Sequence, residues 1–269
     1  MNAIWGLAYI TFKEGIKNRA IFGIFIMVVL MLAAVVTLTN LFMRDIVKVA
    51  ADLSLATISF SGLLMTLFIG TNLLAKDIDK RTIYMVISRP VSRAQYLIGK
   101  FFGLFLLVSA AVLFLGFVSS LPVYFAGLGY QNPQSIFKWH VYFTAILFIA
   151  MKLTLIASII IFFSSITSTS FITLVLTIAT YLIGSTNEVV KGILEAKIEG
   201  VTISPLMGGI IKFVYYVFPN LSAFDLKIQA AHGIAIPIEY LLWVSAYWLL
   251  YMGVMISAGA LIIRRREFP

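Results

Sequence analysis

Six stretches of this chain are apolar over the length that a bilayer-crossing helix needs, about 20 residues. They lie at about 20–43, 53–75, 101–125, 141–163, 165–184 and 240–263. Hydrocarbon offers no water to an open backbone, so such stretches are stable there only with their hydrogen bonds closed internally. The fifth is the least apolar, because Ser and Thr dilute its first turns. The first is too long for the apolar core of a signal peptide. Composition agrees: 61% of residues are hydrophobic and 12% charged, against roughly a quarter charged in soluble domains. The chain is expected to be an all-α membrane protein, one transmembrane domain over residues 1–269 with six transmembrane helices.

Orientation follows from the basic residues between spans. Six spans put both ends on one side, together with the second–third and fourth–fifth connections. That side carries 12 of the 20 basic residues and four acids, a balance of +8, while the other side balances at zero. Lys152, inside the fourth span, supplies the remainder of the net +9. Both termini are therefore expected in the cytoplasm. The basic character is topological and does not mark a nucleic-acid binder.

Residues 1–19 read as an amphipathic interfacial helix. Ile4, Ala8, Phe12 and Ile16 form a stripe, with Lys13, Glu14, Lys17 and Arg19 on the other face and anionic membrane lipid as the partner of the cations. Residues 76–100 are too polar to span. Ile83, Val86 and Ile87 share a face of a short helix that Pro90 ends, and Ser92 with Gln95 forms a capping box for a second helix that runs into the third span. The result is either a braced cytoplasmic coupling helix that takes force from a soluble partner or an ordinary basic loop. Residues 185–240 face the other side. Within them 206–218 is apolar but bounded by Pro205 and Pro219, and a second short helix follows Ser222 and ends at Gly233. These are expected to be re-entrant outer helices or a small external cap.

Inside the membrane, Thr169, Thr173, Thr177, Thr180 and Tyr181 make one stripe on the fifth span, and Thr57 and Ser61 a weaker one on the second. Such hydroxyls either line a pathway or bond back to their own helix and pack. Lys152 is a pathway candidate because a charge inside a span is rare and functional by default, unless it snorkels. Gly253 and Ser257 offer a close helix contact, internal or between copies. The chain has no Cys, and its two His, His140 and His232, are isolated. No thiolate metal site, phosphate-binding loop, nucleophile elbow or pair of intramembrane carboxylates is present. No metal site and no catalytic residue are expected, and any energy source lies outside the chain.

The stretch from Asp77-Ile78-Asp79-Lys80-Arg81-Thr82-Ile83-Tyr84 through Ser88-Arg89-Pro90-Val91-Ser92-Arg93 to Leu97-Ile98-Gly99-Lys100 resembles the coupling segment of ABC exporter permeases of the second ABC permease family, the type V fold. Lys13-Glu14, Asn18-Arg19 and the terminal Arg264-Arg265-Arg266-Glu267-Phe268 are also similar. Arg81-Thr82 with Ser88-Arg89-Pro90 leans toward the multicopper-enzyme-maturation branch, which includes the nitrous oxide reductase maturation permease. The resemblance implies a homodimer in a bacterial or archaeal cytoplasmic membrane, bound to two separate ATPase subunits that hold ATP and Mg. It assigns ATPase coupling to Asp77, Asp79, Arg81, Thr82, Ile83, Met85, Val86, Ile87, Arg89, Pro90 and Arg93. The fourth–fifth connection, 164–170, departs from the family pattern in being short and uncharged. The rival readings are a secondary carrier or channel that uses Lys152 and the threonines, and a membrane anchor for an ATPase that moves no solute.

Overall fold

In a computed structural model, residues 3–39, 45–75, 92–128, 137–188, 192, 209 and 213–265 are described. Every regular element among them is helical, as a medium without hydrogen-bonding solvent requires. The elements are α1 (Ala3–Ile16), α2 (Arg19–Thr39), α3 (Ile46–Gly70), α4 (Arg93–Leu128), α5 (Trp139–Ile166), α6 (Ser170–Ser185), α7 (Lys227–His232) and α8 (Ile238–Arg265). A π-helical turn, Thr71–Ala75, extends α3, and a 3-10 turn, Ser222–Phe224, precedes α7.

Five helices, α2, α3, α4, α5 and α8, are long and apolar enough to cross a membrane. The fifth of the six apolar runs forms a helix of only 16 residues, α6, about 24 Å long where the hydrocarbon core is about 30 Å thick. The cause lies at the preceding turn. Ser164 and Ser165 donate to the carbonyls of Ile160 and Phe162 at 2.7 and 2.6 Å, so α5 continues through them to Ile166. The chain becomes extended at Thr167 and Thr169, and α6 starts five residues later than the apolar run.

The core lies among α3, α4 and α5, which pack on one another. The apolar window of α5 is 83% buried, against 17% for α2 and 11% for α8, so the last two lie on the rim. Gly259 near the end of α8 lies 3.6 Å, measured from an added Cβ, from Leu97 of α4 and from Phe162 and Ser165 of α5. That contact gathers the start of α4, the α5–α6 turn and the end of α8 at one end of the bundle. The other end holds the end of α6, where the Leu221 N–H donates to the Gly184 carbonyl at 3.0 Å.

Helix α1 joins the first end by lying along α4. An added Cβ at Gly99 would stand 2.6 Å from Leu7 Cβ, and one at Gly103 would stand 2.7 Å from the carbonyl oxygen of Ala8. These two glycines are where the backbones approach, and no larger residue fits without moving α1. The buried side of α1 is Ala8, Thr11 and Gly15, small residues that permit the approach. Of the apolar stripe read from the sequence, Ala8 alone is fully buried and Ile16 is exposed. Replacing Gly103 with Leu is expected to unseat α1 at a cost of about 1–3 kcal/mol. Trypsin should then cut at Lys13 and Lys17 faster than in the unmodified chain, and equal rates would show that the glycine groove does not hold α1.

Candidate functional site

The segment carrying Asp77, Asp79, Arg81, Thr82, Ile83, Met85, Val86, Ile87, Arg89 and Pro90 lies outside the described residues. What is described is the helix foot it leads into. The Ser92 N–H donates to Gln95 Oε1 at 3.0 Å, and the Gln95 N–H donates to Ser92 Oγ at 3.2 Å. This reciprocal capping box satisfies two of the backbone donors that a helix start leaves open. Arg93 opens α4, and Tyr96, Leu97 and Phe101 follow, each no more than 1% exposed.

One turn further on, Lys100 Nζ meets Glu14 Oε2 of α1 at 3.4 Å and stands 5.9 Å from the centroid of the Tyr96 ring. Lys100 is 7% exposed, so its charge is held largely out of water between an acid and an aromatic face. The foot of α4 is thus locked three ways: by its own cap, by buried aromatic side chains, and by an ion pair and glycine contacts to α1. These contacts join the start of α4 to α1 over the stretch from residue 99 to residue 103.

Inside the bundle, the hydroxyl candidates are back-bonded. Thr57 donates to the Leu53 carbonyl at 2.8 Å, and Ser61 to that of Thr57 at 2.6 Å. Thr173, Thr177 and Thr180 donate to the carbonyls of Thr169, Thr173 and Leu176 at 3.2, 2.7 and 2.9 Å. All five are buried; four satisfy their donors on a preceding carbonyl and present mainly methyl or Cβ to neighbours, while the Thr173 hydroxyl also shares a 2.6 Å hydrogen bond with that of Thr167. Lys152 of α5 is 5% exposed, and its ammonium lies 5.4 Å from the centroid of the Tyr181 ring on α6. The structure therefore brings Lys152 and Tyr181 together. Asp225 and Lys227, themselves paired at 3.2 Å, act on Lys152 electrostatically with opposite signs.

That segment is fastened by polar contacts absent from the sequence reading. The Asn220 N–H donates to Tyr247 Oη at 3.0 Å, Tyr240 Oη donates to the Ala223 carbonyl at 2.7 Å, and Asn187 Nδ2 donates to the Phe218 carbonyl at 3.4 Å. Phe224 is fully buried, and Gly233 closes α7 at φ 63°, where an L side chain would be strained. Trp248 Nε1 also donates to Thr154 Oγ1 at 3.1 Å, tying α8 to the middle of α5. Each pair is too distant in sequence for spacing to show it. Only the amphipathic residues Trp and Tyr in an apolar run signal that a partner is required. Among the described residues no group of His, Asp and Glu is arranged to hold a metal.

The model of the ABC-2 family transporter proteins matches residues 5–259. No curated protein matches the chain. The match takes in α2 to α7 and most of α1 and α8. The chain belongs to the ABC-2 family of transporter proteins, the membrane components of ABC transporters.

Proposed function

We propose that the chain is the permease subunit of an ABC exporter, acting as a homodimer with two cytoplasmic ATPase subunits that bind ATP and Mg. In this reading residues 76–92 dock on the ATPase. Ile83, Met85, Val86 and Ile87 supply apolar contacts, and Arg81, Arg89 and Arg93 set orientation against acids on the partner. Closure of the ATPases on ATP then rocks α4 and the helices packed on it between inward and outward states. The observation that carries the proposal is the rigid foot of α4, where the capping box, the buried Tyr96, Leu97 and Phe101 and the Lys100–Glu14 pair leave force no place to dissipate.

Further support comes from the ends of the bundle. Among the described residues α1, the start of α4, the α5–α6 turn and the end of α8 come together at one end of the bundle, and the positive-inside rule, applied to the sequence, assigns that end to the cytoplasmic face of a bacterial or archaeal inner membrane. The rims of α2 and α8 are left bare, and Gly253 meets nothing within 4 Å, so the Gly253–Ser257 pair is free for a second copy. Residues 185–240 act as re-entrant outer helices that make up the length α6 lacks, which gives six crossings. Lys152, together with Tyr181 and the hydroxyls of Thr57, Ser61, Thr173, Thr177 and Thr180, marks the substrate path. Those hydroxyls become available when the helices part. By the residues of its 77–100 stretch the chain resembles the multicopper-enzyme-maturation branch of the type V permeases.

Two expected outcomes test this. Met85→Asp or Val86→Asp in the reconstituted complex abolishes ATP-driven transport while the chain still inserts; unchanged co-purification with the ATPase and unchanged stimulation of its hydrolysis would refute docking. Transport by the purified chain in liposomes without any ATPase would refute the exporter reading altogether. Lys152→Met, which keeps the stem and removes the charge, leaves the unfolding temperature equal or higher. It lowers transport by on the order of tenfold, the loss of about 1.4 kcal/mol from the rate-limiting barrier. Full transport in this variant would make Lys152 structural.

A further inference from the structure

The corner between α1 and α2 closes over a groove of about 290 Å³ lined only by hydrocarbon and aromatic side chains. Its floor is Val28, Met65, Leu107 and Leu115, each less than 9% exposed. Its walls are Phe12 and Ile16 of α1 on one side and Phe25 of α2 against Phe114 of α4 on the other, the last two stacked at 6.5 Å between centroids. The volume is at the lower end for a ligand pocket, about 300 Å³, and its lining comes from α1, α2, α3 and α4. Water gains nothing in such a groove, since no lining residue has a polar side chain.

The corner that forms the mouth is cationic. Lys13 and Lys17 follow the lining residues Phe12 and Ile16 directly, and Arg19 precedes Ile21, also in the lining. All three cations are exposed. The one acid among them, Glu14, is engaged with Lys100. The apolar cleft therefore opens beside an excess of positive charge at the interfacial end of α1 and α2, which complements a molecule with a hydrocarbon tail and an anionic head.

We infer that this groove is a binding site for an anionic glycerophospholipid of the surrounding bilayer, one acyl chain lying between Phe12, Ile16, Phe25 and Phe114 and the phosphate held by Lys13, Lys17 and Arg19. The lipid is a resident of the leaflet in which the α1–α2 corner lies. The site does not depend on the direction of transport or on the ATPase. It places a lipid headgroup beside the Glu14–Lys100 pair, at the junction of α1 and α4.

Native mass spectrometry of the full-length protein, titrated with phosphatidylglycerol or phosphatidylcholine of equal chain length, reads the site. One phosphatidylglycerol is expected to remain bound at activation energies that strip phosphatidylcholine. Ala110→Phe fills the groove from an exposed lining position and should abolish that adduct. Lys13→Gln with Lys17→Gln, which touches no buried residue, should weaken it about 20- to 30-fold, roughly fivefold for each cation near the membrane surface. Equal retention of the two lipids, or an adduct untouched by either change, overturns the inference. Because the chain has no Cys, Phe114→Cys alone reports a second copy in the groove: a disulfide-linked dimer in nanodiscs would show that protein and not lipid fills it.

Discussion

The backbone approach of α1 to α4 at Gly99 and Gly103 sets much of what the described structure can do. Van der Waals contact at that distance, and not the hydrophobic effect, holds two helices together where lipid is as apolar as protein. Ala8, Thr11 and Gly15 are small for the same reason. With larger residues on either side the helices would separate and Lys100 would lose Glu14. The groove at the α1–α2 corner exists because α1 is pinned on this side while α2 turns away into the membrane.

Stiffness at the foot matters because α4 is long. Its 36 residues extend about 54 Å, well past a hydrocarbon core of about 30 Å. Its start carries the capping box and Tyr96, and the helix packs on both α3 and α5. A rigid rod fixed at its foot converts a small displacement there into tilt along its whole length. Pro122 lies 30 residues from the capping box, near the far end of the same helix, so any bend it introduces leaves the driven half straight.

The spans were legible because length and hydropathy are what a bilayer selects, and α2, α3, α4, α5 and α8 follow the apolar runs closely. The capping box was legible because Ser92 and Gln95 act locally. The packing face of α1 was not. The sequence marks Ile4, Ala8, Phe12 and Ile16 as the apolar side of an interfacial helix but does not show which side meets protein: the small residues Ala8, Thr11 and Gly15 turn inward, and Trp5, Tyr9 and Ile16 are left outside. The short α6 escaped too. Serine counts as polar in a hydropathy profile but becomes nearly neutral once its hydroxyl bonds to the preceding turn, and Ser164 and Ser165 prolong α5 at the expense of α6. Contacts such as Asn220 to Tyr247 and Lys100 to Glu14 join residues too far apart for any pattern to reveal.

The deficit in α6 has a structural consequence. A helix about 6 Å short of the core must either thin the bilayer or be met by protein from beyond its end. Gly184 is met: an added Cβ there would stand 2.5 Å from the Pro219 carbonyl oxygen, and its own carbonyl accepts from Leu221. Protein backbone that follows α6 into the membrane brings polar groups with it, and these need partners. Asn187, Tyr240 and Tyr247 supply them to the backbone. Asp225 and Lys227 arrive in the same segment already paired with each other at 3.2 Å. The polar fastening of this segment and the shortness of α6 are in this sense one feature, since backbone that takes the place of a helix turn must find its hydrogen-bond partners elsewhere.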